Sequence, residues 1–201
     1  MLGLACERLA LHLVHDRQLL GCQEAATADD AAVHLRLIAD FQAAGFAYAS
    51  NKSDLDRIDG SKTDRLLGLF SLSNMNVALD KIDGRRGKKQ GLAGGSVVDD
   101  YGFPDQPMLD EMAKAAIATL KKQSKGFVLM IEGASIDKQA HNMDSERWIL
   151  DTIEFDRAIE RCRRFASANP DTLVIVTADH ECAGVNIIGA STVSNPQLVQ
   201  R

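Results

Sequence analysis

Two short stretches of this chain concentrate residues that could do chemistry. The first, GFVLMIEGASIDKQAH, spans residues 126–141 and places Glu132, Asp137 and His141 within ten positions. The second, TLVIVTADHECAG, spans residues 172–184 and sets Asp179 beside His180 just past an apolar run. Carboxylate oxygens and imidazole nitrogens are the common donors to divalent metals. Together they suit zinc, whereas carboxylate without imidazole favours magnesium. Asp137 and His141 are four apart, which puts both on one face of a helical turn, close enough to grip one ion. Asp179 and His180, being adjacent, suit an irregular loop around a second ion. Glu132 stands apart and fits a harder ion. Taken singly these signals have blander meanings: a surface glutamate, a hydrogen-bonded Asp–His pair. Their joint position, each cluster following an apolar run, favours a metal site.

The elements that must position these residues can be read from periodicity. FVLMI and TLVIVT are short and apolar throughout, as expected of strands buried on both faces. Residues 145–166 predict a helix between them, with Trp148, Thr152, Phe155, Ile159, Cys162 and Ala166 stepping by three and four. A helix opening at Pro107 and running through Gln123 precedes the first strand, with Leu109, Met112, Ala116 and Leu120 on its apolar face. Further upstream, residues 29–44 predict a helix with Val33, Leu37, Ile38 and Phe41 on one side, stopped by Gly45. FAYAS and RLLGLFS read as strands, residues 52–62 as a loop or short helix, and residues 1–22 as helical. This alternation predicts an α/β fold with a mostly parallel sheet. Ligands of such sheets bind outside the carboxyl ends of the strands, where both acidic clusters fall.

Composition narrows the classes. The chain has 201 residues, 45% hydrophobic and 25% charged, with net charge −5 and a sequence pI near 5.5. That balance speaks against nucleic acid as a partner. No apolar run reaches the length of a membrane span, and the first 22 residues lack the pattern of a signal peptide. Four cysteines are too few for a disulfide framework. Cys6, His12, His15 and Cys22 do not have finger or ribbon spacing and read as scattered positions on an amphipathic helix. Residues 81–107 are rich in glycine and predict a long surface excursion. Its basic cluster Arg85, Arg86, Lys88 and Lys89 could take an anion, although a solvated loop is the commoner meaning.

EGASIDKQAH, then DTIEFDRAIE, then TLVIVTADHECAG, in that order, resemble the bacterial-type alkaline phosphatases. DRLLGLFS and QPMLDEMAKAAIATL extend the resemblance upstream, so that residues 29–201 are covered as a partial domain and residues 1–28 form an unmatched helical leader. The resemblance implies a three-layer αβα sandwich. It implies phosphate monoester hydrolysis through a phosphoserine intermediate, with two zinc ions and one magnesium. By position, Asp137 and His141 match ligands of one zinc, Asp179 and His180 ligands of the other, and Glu132 a magnesium ligand. Lys138 matches a residue that helps hold phosphate. A homodimer and a periplasmic or extracellular location are implied for the full-length family member.

The family's serine nucleophile lies in a D-S-A-type turn upstream of these motifs, and a further histidine ligand follows them. This sequence has no such triplet and no histidine after His180. The metal sites are therefore expected to be incompletely liganded, and the chain to be a carboxyl-side part of such an enzyme, weak or inactive by itself. Two other readings are a non-catalytic metal-binding remnant of the fold and a relative among the sulfatases or phosphomutases. The D-K-x-x-H and T-A-D-H forms favour the phosphatase over those relatives.

Overall fold

The computed structural model describes residues 28–71, 74–85, 105–182 and 184–186. The predicted helix over residues 1–22 and the basic cluster around Arg86, Lys88 and Lys89 lie outside them. Helix α1 (Ala28–Ala43) leads into strand β1 (Ala47–Ala49). Helix α2 (Lys52–Arg57) then crosses to strand β2 (Leu66–Gly68). The two strands pair in parallel, Ala47 opposite Leu66 and Ala49 opposite Gly68. FAYAS and RLLGLFS thus contain strands, as expected, and together with α2 they make a small βαβ unit. Asn51 caps α2 by accepting the Asp54 N–H at 2.7 Å, and the Ser53 N–H reaches the Asp105 carboxylate at 3.0 Å. On α1, Ile38 and Phe41 are half-buried, with Phe41 edge-on to Phe46, whereas Leu37 is exposed.

Helices α3 (Ala78–Arg85), α4 (Leu109–Leu120), α5 (Ser135–His141) and α6 (Ser145–Ala168) complete the described elements. Residues 81–85 thus belong to a helix rather than to the surface excursion expected there, and Gln106 and Pro107 at its far end are buried. Helix α4 begins two residues after Pro107 and buries Leu109, Met112, Ala116 and Leu120, as its periodicity predicts. Glu111 reaches back to accept the Met108 N–H at 2.8 Å, which satisfies a donor at the helix start. Ala113 and Ala116 on α4, with Ala158 on α6, are almost fully buried. Small side chains there let α4 and α6 approach closely, and the core they share extends to Ala49, Leu55, Leu66, Phe70 and Met75.

Two acids on α6 hold the helix junction together. Asp151 accepts the Ala78 N–H at 2.8 Å, at the first turn of α3. Glu154 accepts the Leu109 N–H at 2.8 Å, at the first turn of α4, and pairs with Lys81 of α3 at 2.5 Å. Helix N-termini expose unpaired amides and a positive dipole end, so buried carboxylates are the natural partners for them. Lys81 and Asp151 are each 3% exposed, so this polar cluster is part of the interior. It also changes the expected buried face of α6. Asp151, Glu154 and Ala158 are its most buried positions, while Phe155, Ile159 and Cys162 are half-buried and Thr152 is exposed.

FVLMI and TLVIVT depart from expectation. Neither forms a strand ladder among the described residues, and neither is buried on both faces. Both nevertheless alternate as strands do. Phe127, Leu129 and Ile131 turn toward α4 and α6, as do Thr172 and Val174, lining one groove with Phe155, Ile159 and Cys162. The outward set is open to solvent: Val128 is 69% exposed, Met130 82%, Leu173 81% and Ile175 77%. The physical reason is partnership. A strand needs neighbours for its N–H and C=O groups and a second layer for its other face, and the described residues supply neither.

Candidate metal centre

Helix α5 starts three residues after Glu132 and ends at His141, so Asp137 and His141 project from the same side, as their spacing requires. The Asp137 Oδ2 lies 3.3 Å from His141 Nε2. The other carboxylate oxygen, Asp137 Oδ1, lies 3.8 Å from His180 Nε2, and that nitrogen is 3.5 Å from Asp179 Oδ2. Asp137 therefore stands between two histidines that arrive from different segments. Its Oδ1 is buried without a hydrogen-bond partner. A buried acceptor left in that state is costly unless a donor or a cation completes it.

The loop carrying Asp179 and His180 is wound by its own side chains. The His180 N–H donates to Asp179 Oδ1 at 2.9 Å, and the Cys182 N–H donates to His180 Nδ1 at 2.8 Å. Cys182 has φ 58°, the left-handed region that a residue bearing a Cβ seldom adopts. The turn brings its sulfur into the cluster: donor atoms of Asp137, His141 and Cys182 all lie within 4.8 Å of one another. With Nδ1 accepting, the neutral His180 ring carries its proton on Nε2, facing the two carboxylates. Ligation through Nε2 would move that proton to Nδ1 and release the Cys182 amide.

Glu132 and Lys138 are placed differently. No hydrogen bond or ion pair among the described residues joins Glu132 to Asp137, His141, Asp179 or His180. Glu132 lines a small adjoining cavity with Lys81, Ser135, Asp151 and Glu154. The Lys138 ammonium donates to Asn74 Oδ1 at 2.7 Å. Burial pushes the Asp151 carboxyl up to about 6, and the neighbouring Glu154 charge adds to this against the Ala78 N–H and Lys81. Asp80 is also raised by burial, opposed by Arg147. Sequence reasoning missed Lys81, Asp151 and Glu154 because charged residues at helical spacing read as a solvated face. It also counted Cys182 only among four cysteines too few for a disulfide framework, although its position two residues after His180 was a usable signal.

Gly133 sets how Glu132 enters the site. A Cβ at this position would stand 3.1 Å from Ile136 Cδ1 and 3.2 and 3.3 Å from Phe155 Cγ and Cβ, so the backbone runs flush against α6. Gly133→Ala is expected to lower stability by about 1 kcal/mol, a packing strain partly offset by the stiffer unfolded chain. Chemical denaturation measures it, and an unchanged midpoint would mean that Phe155 yields freely.

Fold and cluster together define an α/β chain with a carboxylate–imidazole centre, the donor set of a divalent-metal protein. A family model for alkaline phosphatase matches residues 20–200. The alkaline phosphatase of Escherichia coli (strain K12) is 36% identical over 164 residues, covering 79% of this chain and 34% of that one. Alkaline phosphatase H of Pseudomonas aeruginosa (strain UCBPP-PA14) is 36% identical over 146 residues, covering 72% of this chain and 31% of that one. Among solved structures, that of Thermus thermophilus alkaline phosphatase superposes with a TM-score of 0.53 at 31% identity, over 67% of this chain and 24% of that one. The chain belongs to the alkaline phosphatase family. It spans about a third of the length of the Escherichia coli and Pseudomonas aeruginosa relatives and about a quarter of the Thermus thermophilus one.

Proposed function

We propose that this chain carries the carboxyl-side part of the metal centre of a phosphate monoesterase. The observation that supports this most is the convergence on Asp137: His141 Nε2 at 3.3 Å and His180 Nε2 at 3.8 Å, from segments 39 positions apart in the sequence. The donor chemistry fits zinc, and the orphaned Asp137 Oδ1 is the atom a cation would satisfy. In this reading Asp137 and His141 hold one zinc, Asp179 and His180 hold a second, and Glu132 faces a magnesium. A pair of bound ions supplies the positive charge that clamps the attacking and leaving oxygens of a phosphoryl group.

The chain's own residues then have distinct tasks. Asp137, shared between two imidazoles, fixes the distance between the two clusters. Lys138, tethered by Asn74, offers a cation to the phosphate. His180 yields its Nε2 once the proton has moved to Nδ1. The open outer faces of residues 127–131 and 172–176 are where a second helical layer would complete the three-layer sandwich. For the whole protein we infer phosphate monoesters as substrates, a homodimer, and a location outside the cytoplasm. No helix among the described residues is long and apolar enough to cross a membrane.

No Asp-Ser-Ala or Asp-Ser-Ser triplet occurs in the sequence, so the nucleophile of the family reaction is not among these residues. The favoured outcome for the isolated chain is thus zinc retention without appreciable turnover. Measuring zinc content together with hydrolysis of a chromogenic phosphate monoester at alkaline pH tests both halves. Asp137→Asn and His180→Ala should each reduce bound zinc. A chain that retains none overturns the metal centre, and rapid turnover overturns the incomplete site.

A further inference from the structure

The functional reading above gives Lys138 the task of holding phosphate, and its ammonium sits at the end of a flexible four-carbon stem. A charge on such a stem serves an anion well only where something fixes its place. We propose that Asn74 is the positioning residue for Lys138, and that the segment from Asn74 to Ala78 is the frame that sets it. This deepens the functional reading and rests on it. The contact joins residues 64 positions apart, the ammonium donating to the Asn74 carboxamide oxygen at 2.7 Å. That distance is typical of a hydrogen bond whose donor is charged.

The frame is pinned at alternate residues. The Ser71 hydroxyl donates to the Asn74 carbonyl at 3.0 Å. The Asn76 N–H donates to Gln106 Oε1 at 2.9 Å, and the Ala78 N–H to Asp151 Oδ1 at 2.8 Å. Between them the Met75 side chain is buried in the core. Gln106 and Asp151 are themselves 1% and 3% exposed, so both anchors belong to the packed interior. Close-packed interiors hold their side chains in fixed rotamers. Asn74 is exposed, yet it presents its carboxamide from a backbone that the helix junction holds still. The labour is divided accordingly. Helix α5 supplies the cation, and the junction of α3 with α6 supplies its coordinates. Asp151 acts on the site through the frame, without touching Lys138.

Magnetic resonance of the full chain with isotope-labelled lysine nitrogens, without added metal, tests the contact directly. A hydrogen-bonded ammonium exchanges slowly enough with water to give its own resonance, assigned by its loss in Lys138→Arg. Asn74→Ala should erase that resonance, while the resonance of buried Lys81 persists and reports intact folding. Asn74→Asp keeps an acceptor at the same reach and should retain the Lys138 signal. In the zinc-loaded chain, Asn74→Ala should weaken binding of inorganic phosphate about tenfold. In a Lys138→Ala background the same change should have no effect, because the two residues act as one unit. A Lys138 resonance that survives Asn74→Ala, or equal losses of phosphate affinity in both backgrounds, overturns the assignment of Asn74. A wild-type chain that shows the resonance but binds no phosphate overturns instead the phosphate-holding role of Lys138.

Discussion

Glu154→Ala is expected to destabilise the chain by about 3–5 kcal/mol. The carboxylate accepts from the Lys81 ammonium and from the first amide of α4 through the same oxygen, Oε1. Among the described residues, its removal leaves a cation that is 3% exposed with only the more distant Pro107 carbonyl, at 3.4 Å, as a hydrogen-bond partner. A buried charge stripped of its counter-ion costs far more than the intact pair contributes, and a typical domain has only about 5–15 kcal/mol in all. Equilibrium urea unfolding should show the midpoint falling by about a fifth or more of its value. Replacing both partners, Lys81→Met with Glu154→Met, should recover most of the loss, short of roughly 1 kcal/mol for the Leu109 amide. A double variant as unstable as the single one would show that the pair is not the source.

Asp151→Asn should act in the opposite direction. The folded carboxyl titrates near 6 against an ordinary 3.8, so folding favours its protonated form. Stability from this group is fully present below about pH 4 and is lost as pH rises through 6. Above that, ionised Asp151 opposes folding by about 3 kcal/mol. Asparagine keeps an oxygen for the Ala78 N–H but carries no charge. It should therefore remove about 2 kcal/mol of the decline in stability between pH 4 and pH 8, with the variant more stable than the wild type at the upper end. Unfolding free energies at the two pH values check the sign. A variant that parallels the wild type would show that another group causes the decline.

These two acids also mark the limit of what the sequence discloses. Helices α4 and α6, the extended character of FAYAS and RLLGLFS, and the shared face of Asp137 and His141 are written in local spacing, and the structure has all of them. The interior acids are not, because the pattern 151, 154, 158 is helical but two of its members are charged. Only the convergence of α3 and α4 on α6 turns them inward, as caps for two helix starts. Similarly, FVLMI and TLVIVT have a strand's alternation, but pairing depends on neighbours that local sequence cannot supply. Cys182 joins the cluster through a left-handed turn that no periodicity signals.

The alternating extended segments have a thermodynamic consequence. Val128, Met130, Leu173 and Ile175 are about as wet in the folded chain as in the unfolded one, so unfolding newly hydrates little at these positions. The heat-capacity increment and the denaturant slope both scale with newly hydrated surface. Both are therefore smaller than they would be with those faces covered, which flattens the stability curve against temperature and broadens the melting. Covering those outer faces would steepen all three, turning a shallow transition into a sharp one.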